Sequence, residues 1–175
     1  MSKNKDNTYT VIYKKEKTEL SQDYPFSIYK CCKNIILPNS ITKINLETFK
    51  NCIGLENITL PNSISEIGNK VFFGCTNLKT APELPATTLK SVCYHNMFYG
   101  CTSLKEVYCK PITPPAIGYY YNDGYTGGSF PFNKGMKIYV PRSSFNTYTG
   151  YTNYVNGTYS DNWFLLKSYI EPYDF

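Results

Sequence analysis

Residues 37–55 read LPNSITKINLETFKNCIGL, and residues 60–78 read LPNSISEIGNKVFFGCTNL. The two stretches lie 23 positions apart (Leu37 to Leu60), with Leu-Pro-Asn-Ser-Ile, a second Ile, Phe, Cys and Leu in register. A third copy, LPATTLKSVCYHNMFYGCTSL, runs from Leu84 to Leu104. Its leucine-to-cysteine spacing is 17 (Leu84 to Cys101) against 15 in the first two (Leu37 to Cys52), so it holds two extra residues. Identity this dense at a fixed spacing marks a repeat architecture. One copy cannot bury its own apolar side, so copies must stack.

The order of residues within a copy follows from that stacking. Leu55, Ile58 and Leu60 in one copy, and Leu104, Val107 and Cys109 in another, set an in–out alternation suited to a short strand with one buried face. Proline then ends the strand, because it cannot donate to the ladder. The Asn-Ser-Ile turn leads to an apolar Ile, then to a Phe and a Cys three residues apart. That spacing predicts one turn of helix or 3₁₀ structure facing the core. The register continues outward in degraded form. Phe26, Tyr29, Cys32, Ile35 and Leu37 precede Phe49, Cys52, Leu55, Ile58 and Leu60 by one period. Downstream, Ile138, Val140 and Pro141 match Ile58, Leu60 and Pro61 after a step of 31 from Cys109 to Val140. The excess length falls on GYYYNDGYTGG, residues 118–128.

These readings divide the chain into an N-terminal capping strand region (1–25, with the strand at Thr8 to Tyr13), a repeat solenoid (26–141, carrying a tyrosine- and glycine-rich insert at 118–130) and a C-terminal cap (142–175). The expected fold is a solenoid of short β-strands, turns and 3₁₀ or short helical segments. In the tail, Ser160 or Asp161 is placed to N-cap a final helix carrying Trp163, Phe164, Leu166 and Ile170.

Composition bounds the function. The 175 residues suit one domain with a real core, and 42% apolar content suits a folded chain. The net charge of +5 is mild; Lys3, Lys5, Lys14, Lys15 and Lys17 crowd the first strand. With no nucleic-acid motif beside them, they read as edge lysines that deter aggregation, and nucleic acid is not expected as a partner. The first residues lack the apolar run, about 7–15 residues long, of a secretory signal, and no stretch approaches the roughly 18 apolar residues of a spanning helix. A virion or cytoplasmic setting is therefore expected, with surface display only by another route.

Catalytic constellations are absent from the pattern. Cys52, Cys75 and Cys101 share one repeat position and read as a column of small apolar fillers. The adjacent Cys31 and Cys32 lack zinc-ligand spacing, and seven cysteines cannot all pair in disulfides. The single histidine, His95, sits near Cys93, but closeness in sequence does not establish a nucleophile–base pair. No phosphate-binding loop appears, since GYTGGSF lacks the lysine and spacing. The chain reads as non-enzymatic, with no metal and no cofactor. Tyrosine, 18 residues in all, carries the binding expectation. Tyr119, Tyr120, Tyr121 and Tyr125 in the glycine-rich insert offer large contacts at low entropic cost. Tyr148, Tyr151 and Tyr154 form a second candidate group.

The stretches LPNSITKI, TFKNCIGL, VFFGCTNL, APELPATTL and MFYGCTSL, with the terminal IYVP, resemble the BspA-like leucine-rich repeat family. That resemblance implies a curved, partly β solenoid and an adhesion or host-contact role at a cell or particle surface, through a protein or glycan partner. The alternative is a structural component of a bacteriophage virion, as a capsid decoration or a fibre- or tail-associated protein, with other subunits of a large assembly as partners.

Overall fold

The computed structural model describes residues 2–3, 9–10, 18–20, 32–83, 96–109, 134–150, 153–155, 158–161 and 167–175. Within them, neighbouring repeats pair through parallel ladders. β1 (Ser2–Lys3) and β2 (Tyr9–Thr10) form an antiparallel pair at the N-terminal side. β4 (Asn34–Ile36) pairs in parallel with β6 (Asn57–Thr59), Ile35 opposite Ile58, which is the 23-residue period expressed as register. A second column joins β3 (Glu19–Leu20), β5 (Lys43–Ile44) and β7 (Glu66–Ile67), again all parallel. Each regular repeat thus has two short strands, one more than the residue pattern shows. A third sheet is made of β8 (Glu106–Tyr108), β9 (Lys137–Pro141) and β12 (Ile170–Tyr173), in the order β12-β9-β8. The pairing of Val107 with Ile138 bears out the 31-residue step across the insert.

The first column is interrupted once. Thr80, Ala81 and Pro82 stand one period after Asn57, Ile58 and Thr59, and only an isolated bridge, Thr80 to Glu106, forms there. Pro82 has no N–H to give to the ladder, so the strand cannot extend.

The Phe-to-Cys segment folds differently from expectation. It is a run of turns, with no helical residue at 46–51, 69–74 or 96–100. The turns close by bonds such as Cys52 N–H to the Phe49 carbonyl, 3.2 Å, and Cys75 N–H to that of Phe72, 3.2 Å. Other amides reach the next repeat instead: Phe49 N–H donates to the Val71 carbonyl (3.0 Å) and Gly74 N–H to that of Tyr99 (2.8 Å). A continuous 3₁₀ helix would consume those groups within one repeat, so inter-repeat bonding wins. Each run has two left-handed positions four residues apart: Glu47 and Asn51, Lys70 and Gly74, Asn96 and Gly100. This accounts for Asn or Gly directly before Cys52, Cys75 and Cys101. A Cβ on Gly74 would lie 2.3 Å from Asn51 Oδ1, so a side chain there would have to displace the Asn51 amide of the preceding repeat.

Buried columns run along the stack. Phe49, Phe72 and Phe98 are fully buried, with ring centroids 5.5 and 5.6 Å apart and planes within 4° of parallel. Cys32, Cys52, Cys75, Cys101 and Cys109 are buried thiols, as the filler reading expects. They also carry hydrogen bonds: Cys75 Sγ donates to the Phe49 carbonyl and Cys101 Sγ to that of Phe72, each at 3.1 Å. Each thiol thus adds a second hydrogen bond to a carbonyl that already accepts a backbone N–H, tying it to the next repeat. Its proton loss is suppressed: a hydrogen bond with Cys75, then burial, pushes the Cys52 thiol well up, and burial does so for Cys101. Hydroxyls repeat the device: Thr42 donates to the Thr18 carbonyl and Ser65 to that of Thr42.

Candidate functional site

The alternation that buries Val107, Ile138, Val140 and Ile170 turns their neighbours outward. On β8 and β9 those neighbours are Tyr108 and Tyr139, which sit opposite one another in register. On β12 and just beyond it they are Tyr173 and Phe175. The four rings form one cluster. Tyr108 and Tyr139 stack at 4.8 Å, Tyr139 and Tyr173 lie at 5.4 Å, and Tyr173 and Phe175 meet edge-on at 5.0 Å. Tyr108 also presents itself edge-on to Tyr173 at 5.5 Å and to Phe175 at 6.4 Å. Tyr108 and Tyr139 are half-buried, whereas Tyr173 and Phe175 keep 40% and 50% of their surface exposed.

Charged side chains frame the rings. Lys137 on β9 pairs with Glu171 on β12. Arg142 donates to Asp174 through both Nε and Nη2, at 2.9–3.1 Å. The Asp174 carboxyl is held below its usual range by that hydrogen bond from Arg142, and the Lys137 ammonium is held above its usual range by its bond to Glu171. Glu106 accepts a long bond, 3.5 Å, from the Tyr108 hydroxyl. Burial, then the Glu106 carboxylate, raises the pKa of that phenol, so the ring stays neutral at physiological pH.

The segment behind the sheet is a 3₁₀ turn, Arg142–Ser144, continuing into α1 (Phe145–Gly150). Tyr148 lies here, and it corrects an expectation. Expected among the candidate contacts, it is fully buried, with its hydroxyl donating to Cys109 Sγ at 3.8 Å. The reason is helical geometry: α1 turns this ring onto the core, where it covers Cys109, the thiol at a leucine position of the repeat. A second correction concerns the tail. Ser160 and Asp161 lie in β11 (Thr158–Asp161), which pairs antiparallel with β10 (Asn153–Val155), and Ile170 begins β12. Ile170 is a strand residue because the ladder left open by β9 takes it, while Trp163, Phe164 and Leu166 of the expected helix lie outside the described residues.

Tyr154 lies in β10. Tyr119, Tyr120, Tyr121, Tyr125 and Tyr151 lie outside the described residues, as do Cys93, His95 and Trp163. Among the described residues no group of three His, Cys, Asp or Glu side chains is placed to hold a metal ion, and no helix is long and apolar enough to cross a membrane. The residue pattern missed Tyr108, Tyr139, Tyr173 and Phe175. The signal for the first two was present, since each is the outward partner of a buried pair, Val107 and Cys109 or Ile138 and Val140.

Parallel ladders at repeat spacing and a buried Phe–Cys column define a stacked-repeat protein. The BspA-type leucine-rich repeat region matches residues 21–121 in 6 copies, and the chain belongs to that family. No curated protein matches by sequence. A crystal structure of the pneumococcal vaccine antigen PcpA resembles the fold at a TM-score of 0.53 and 18% identity. The match covers 95% of this chain but 42% of that one, so the chain spans less than half of that protein's length.

Proposed function

We propose that this chain is a non-enzymatic interaction module: a leucine-rich repeat solenoid, closed at its ends by residues 1–25 and 142–175, that meets a macromolecular partner at a cell or particle surface. The observation that carries this reading is the aromatic face of β8, β9 and β12. Large apolar side chains of the described residues are mostly buried; the exposed ones are the aliphatics Ile36, Leu46 and Ile53 and two adjoining rings, Tyr173 at the end of β12 and Phe175 just beyond it. Aromatic anchors with a polar rim are the common makeup of binding hot spots. The fold shared with a vaccine antigen supports a surface setting. Tyr119, Tyr120, Tyr121, Tyr125, Tyr151 and Tyr154 are proposed as further contacts, on composition alone.

The test is binding of the fluorescently tagged chain to epithelial and bacterial cell surfaces by flow cytometry. The double variant Tyr173→Ala/Phe175→Ala should lose at least about tenfold in affinity, the scale of one hot-spot contact, with thermal melting little changed. Undiminished binding by the double variant overturns the assignment of this face. Replacing Tyr119, Tyr120, Tyr121 and Tyr125 by alanine asks the same of the insert. Stoichiometric presence of the chain in purified virus particles would favour a structural subunit instead.

A further inference from the structure

The exposed apolar groups at the end of the ladder are rings, and their surroundings restrict what they can receive. Centroid separations of 4.8–6.4 Å put the rings in contact with one another, so nothing fits between them and a ligand must lie on the outer surface. That geometry disfavours a caged cation, which needs ring faces converging on an open centre. The rings are also fixed in advance. Tyr108 backs both Tyr173 and Phe175 edge-on, and Tyr139 backs Tyr173, so little side-chain freedom is lost on binding.

Two of the three rim carboxylates are neutralised from within, and the third, Glu106, accepts from the Tyr108 hydroxyl. Glu171 is met by Lys137 and Asp174 by the Arg142 fork. A strongly charged partner gains no field from such a rim and must compete with pairs already made. A neutral partner leaves the pairs intact, and their carboxylate oxygens keep lone pairs able to accept further hydrogen bonds. The complement of this face is therefore a molecule with an apolar side, many hydroxyl donors and no charge. A hexopyranose meets all three conditions. Its C–H groups, slightly positive, lie well on the negative face of an aromatic ring, and its hydroxyls donate to carboxylates.

We propose that the outward face of β8, β9 and β12 binds a neutral glycan, with hexopyranose rings stacked on Tyr173 and Phe175 and hydroxyls donated to Glu171 and Asp174. This rests on the proposed function's assignment of the face and adds the chemical class of its ligand.

The experiment is isothermal titration of the full chain with neutral hexaoses of glucose, mannose and galactose, and with a sulfated glucose hexaose for comparison. At least one neutral hexaose should bind with a Kd between about 10 µM and 1 mM. Tyr173→Ala and Phe175→Ala should each weaken it at least about tenfold, while Tyr173→Trp, which keeps a ring, should retain it. The inference is overturned if no neutral hexaose binds at millimolar concentration, if only the sulfated sugar binds, or if the alanine variants bind as wild type. The two proposals separate cleanly. Loss of cell-surface binding in the alanine variants, with no neutral hexaose bound, sinks the glycan and leaves a protein partner. Alanine variants unchanged in both assays sink both.

Discussion

Along one ladder the molecule carries two kinds of outward face. In the regular repeats the outward residues are mostly polar or charged and many of them serve the stack itself, with single exposed aliphatics at Ile36, Leu46 and Ile53 and one ring pair, Phe73 on Tyr99. Asn57 donates to the Asn34 side chain at 3.1 Å, and Glu56 lies between Lys33 and Lys79 at 3.5 and 2.7 Å. Lys43 faces Glu66 in the second column. At the terminal sheet the outward residues become Tyr108, Tyr139, Tyr173 and Phe175. The buried side hardly changes, since Ile35, Ile58, Val107, Ile138 and Ile170 are all core. The two outward faces therefore differ in the chemistry of their side chains, and a substitution should reveal whether a residue serves the stack or the proposed contact surface.

The largest effect is expected at the centre of the scaffold. Phe72→Ala removes the middle ring of the stack and should cost about 3–5 kcal/mol, enough to unfold much of the chain in a urea titration. A result under 1 kcal/mol would mean that the ring column is not what holds the repeats together. Next comes Gly74→Ala. At φ 72°, with Asn51 Oδ1 only 2.3 Å from the new Cβ, it should cost about 1–3 kcal/mol by the same measurement. Lys70→Gly should act the other way, stabilising by up to about 1 kcal/mol, because Lys70 holds φ 54° with a side chain. Equal signs for the two would contradict the paired left-handed positions.

Smaller still is the charge ladder. The hydrogen bond and charge of Lys79, with Lys33 adding, lower the Glu56 pKa. A lowered folded-state pKa gives stability that is present above the unfolded value and lost as pH falls through the folded one. Melting temperature should thus decline below the ordinary glutamate range, and Glu56→Gln should flatten part of that decline; no change in the acid limb would dismiss the ladder. Smallest is Tyr173→Ala, expected within about 1 kcal/mol of wild type, because its ring contacts are partly exposed. A large loss there would move the aromatic cluster from contact surface to scaffold.

The repeat, its period and its core side were legible because stacking forces identical chemistry onto identical positions. LPNSI, Phe, Cys and Leu recur for that reason, and Leu55, Phe49 and Cys75 are buried as the pattern requires. The second strand of each repeat was not legible, because Lys43–Ile44 and Glu66–Ile67 are too short to show a period. Nor were the turn runs, whose Phe–Cys spacing fits a 3₁₀ turn equally well. Tyr148 misled because tyrosine composition is blind to direction: the same residue type faces outward at 139 and covers the core at 148.

The sequence by itself determined a stack of 23-residue units and which side chains enter its core, because burial repeats with the chain. Only tertiary structure decided the aromatic face. Tyr108, Tyr139 and Tyr173 stand 31 and 34 residues apart (139 minus 108, and 173 minus 139), beyond the reach of any local pattern. Parallel pairing of β8, β9 and β12 makes them neighbours.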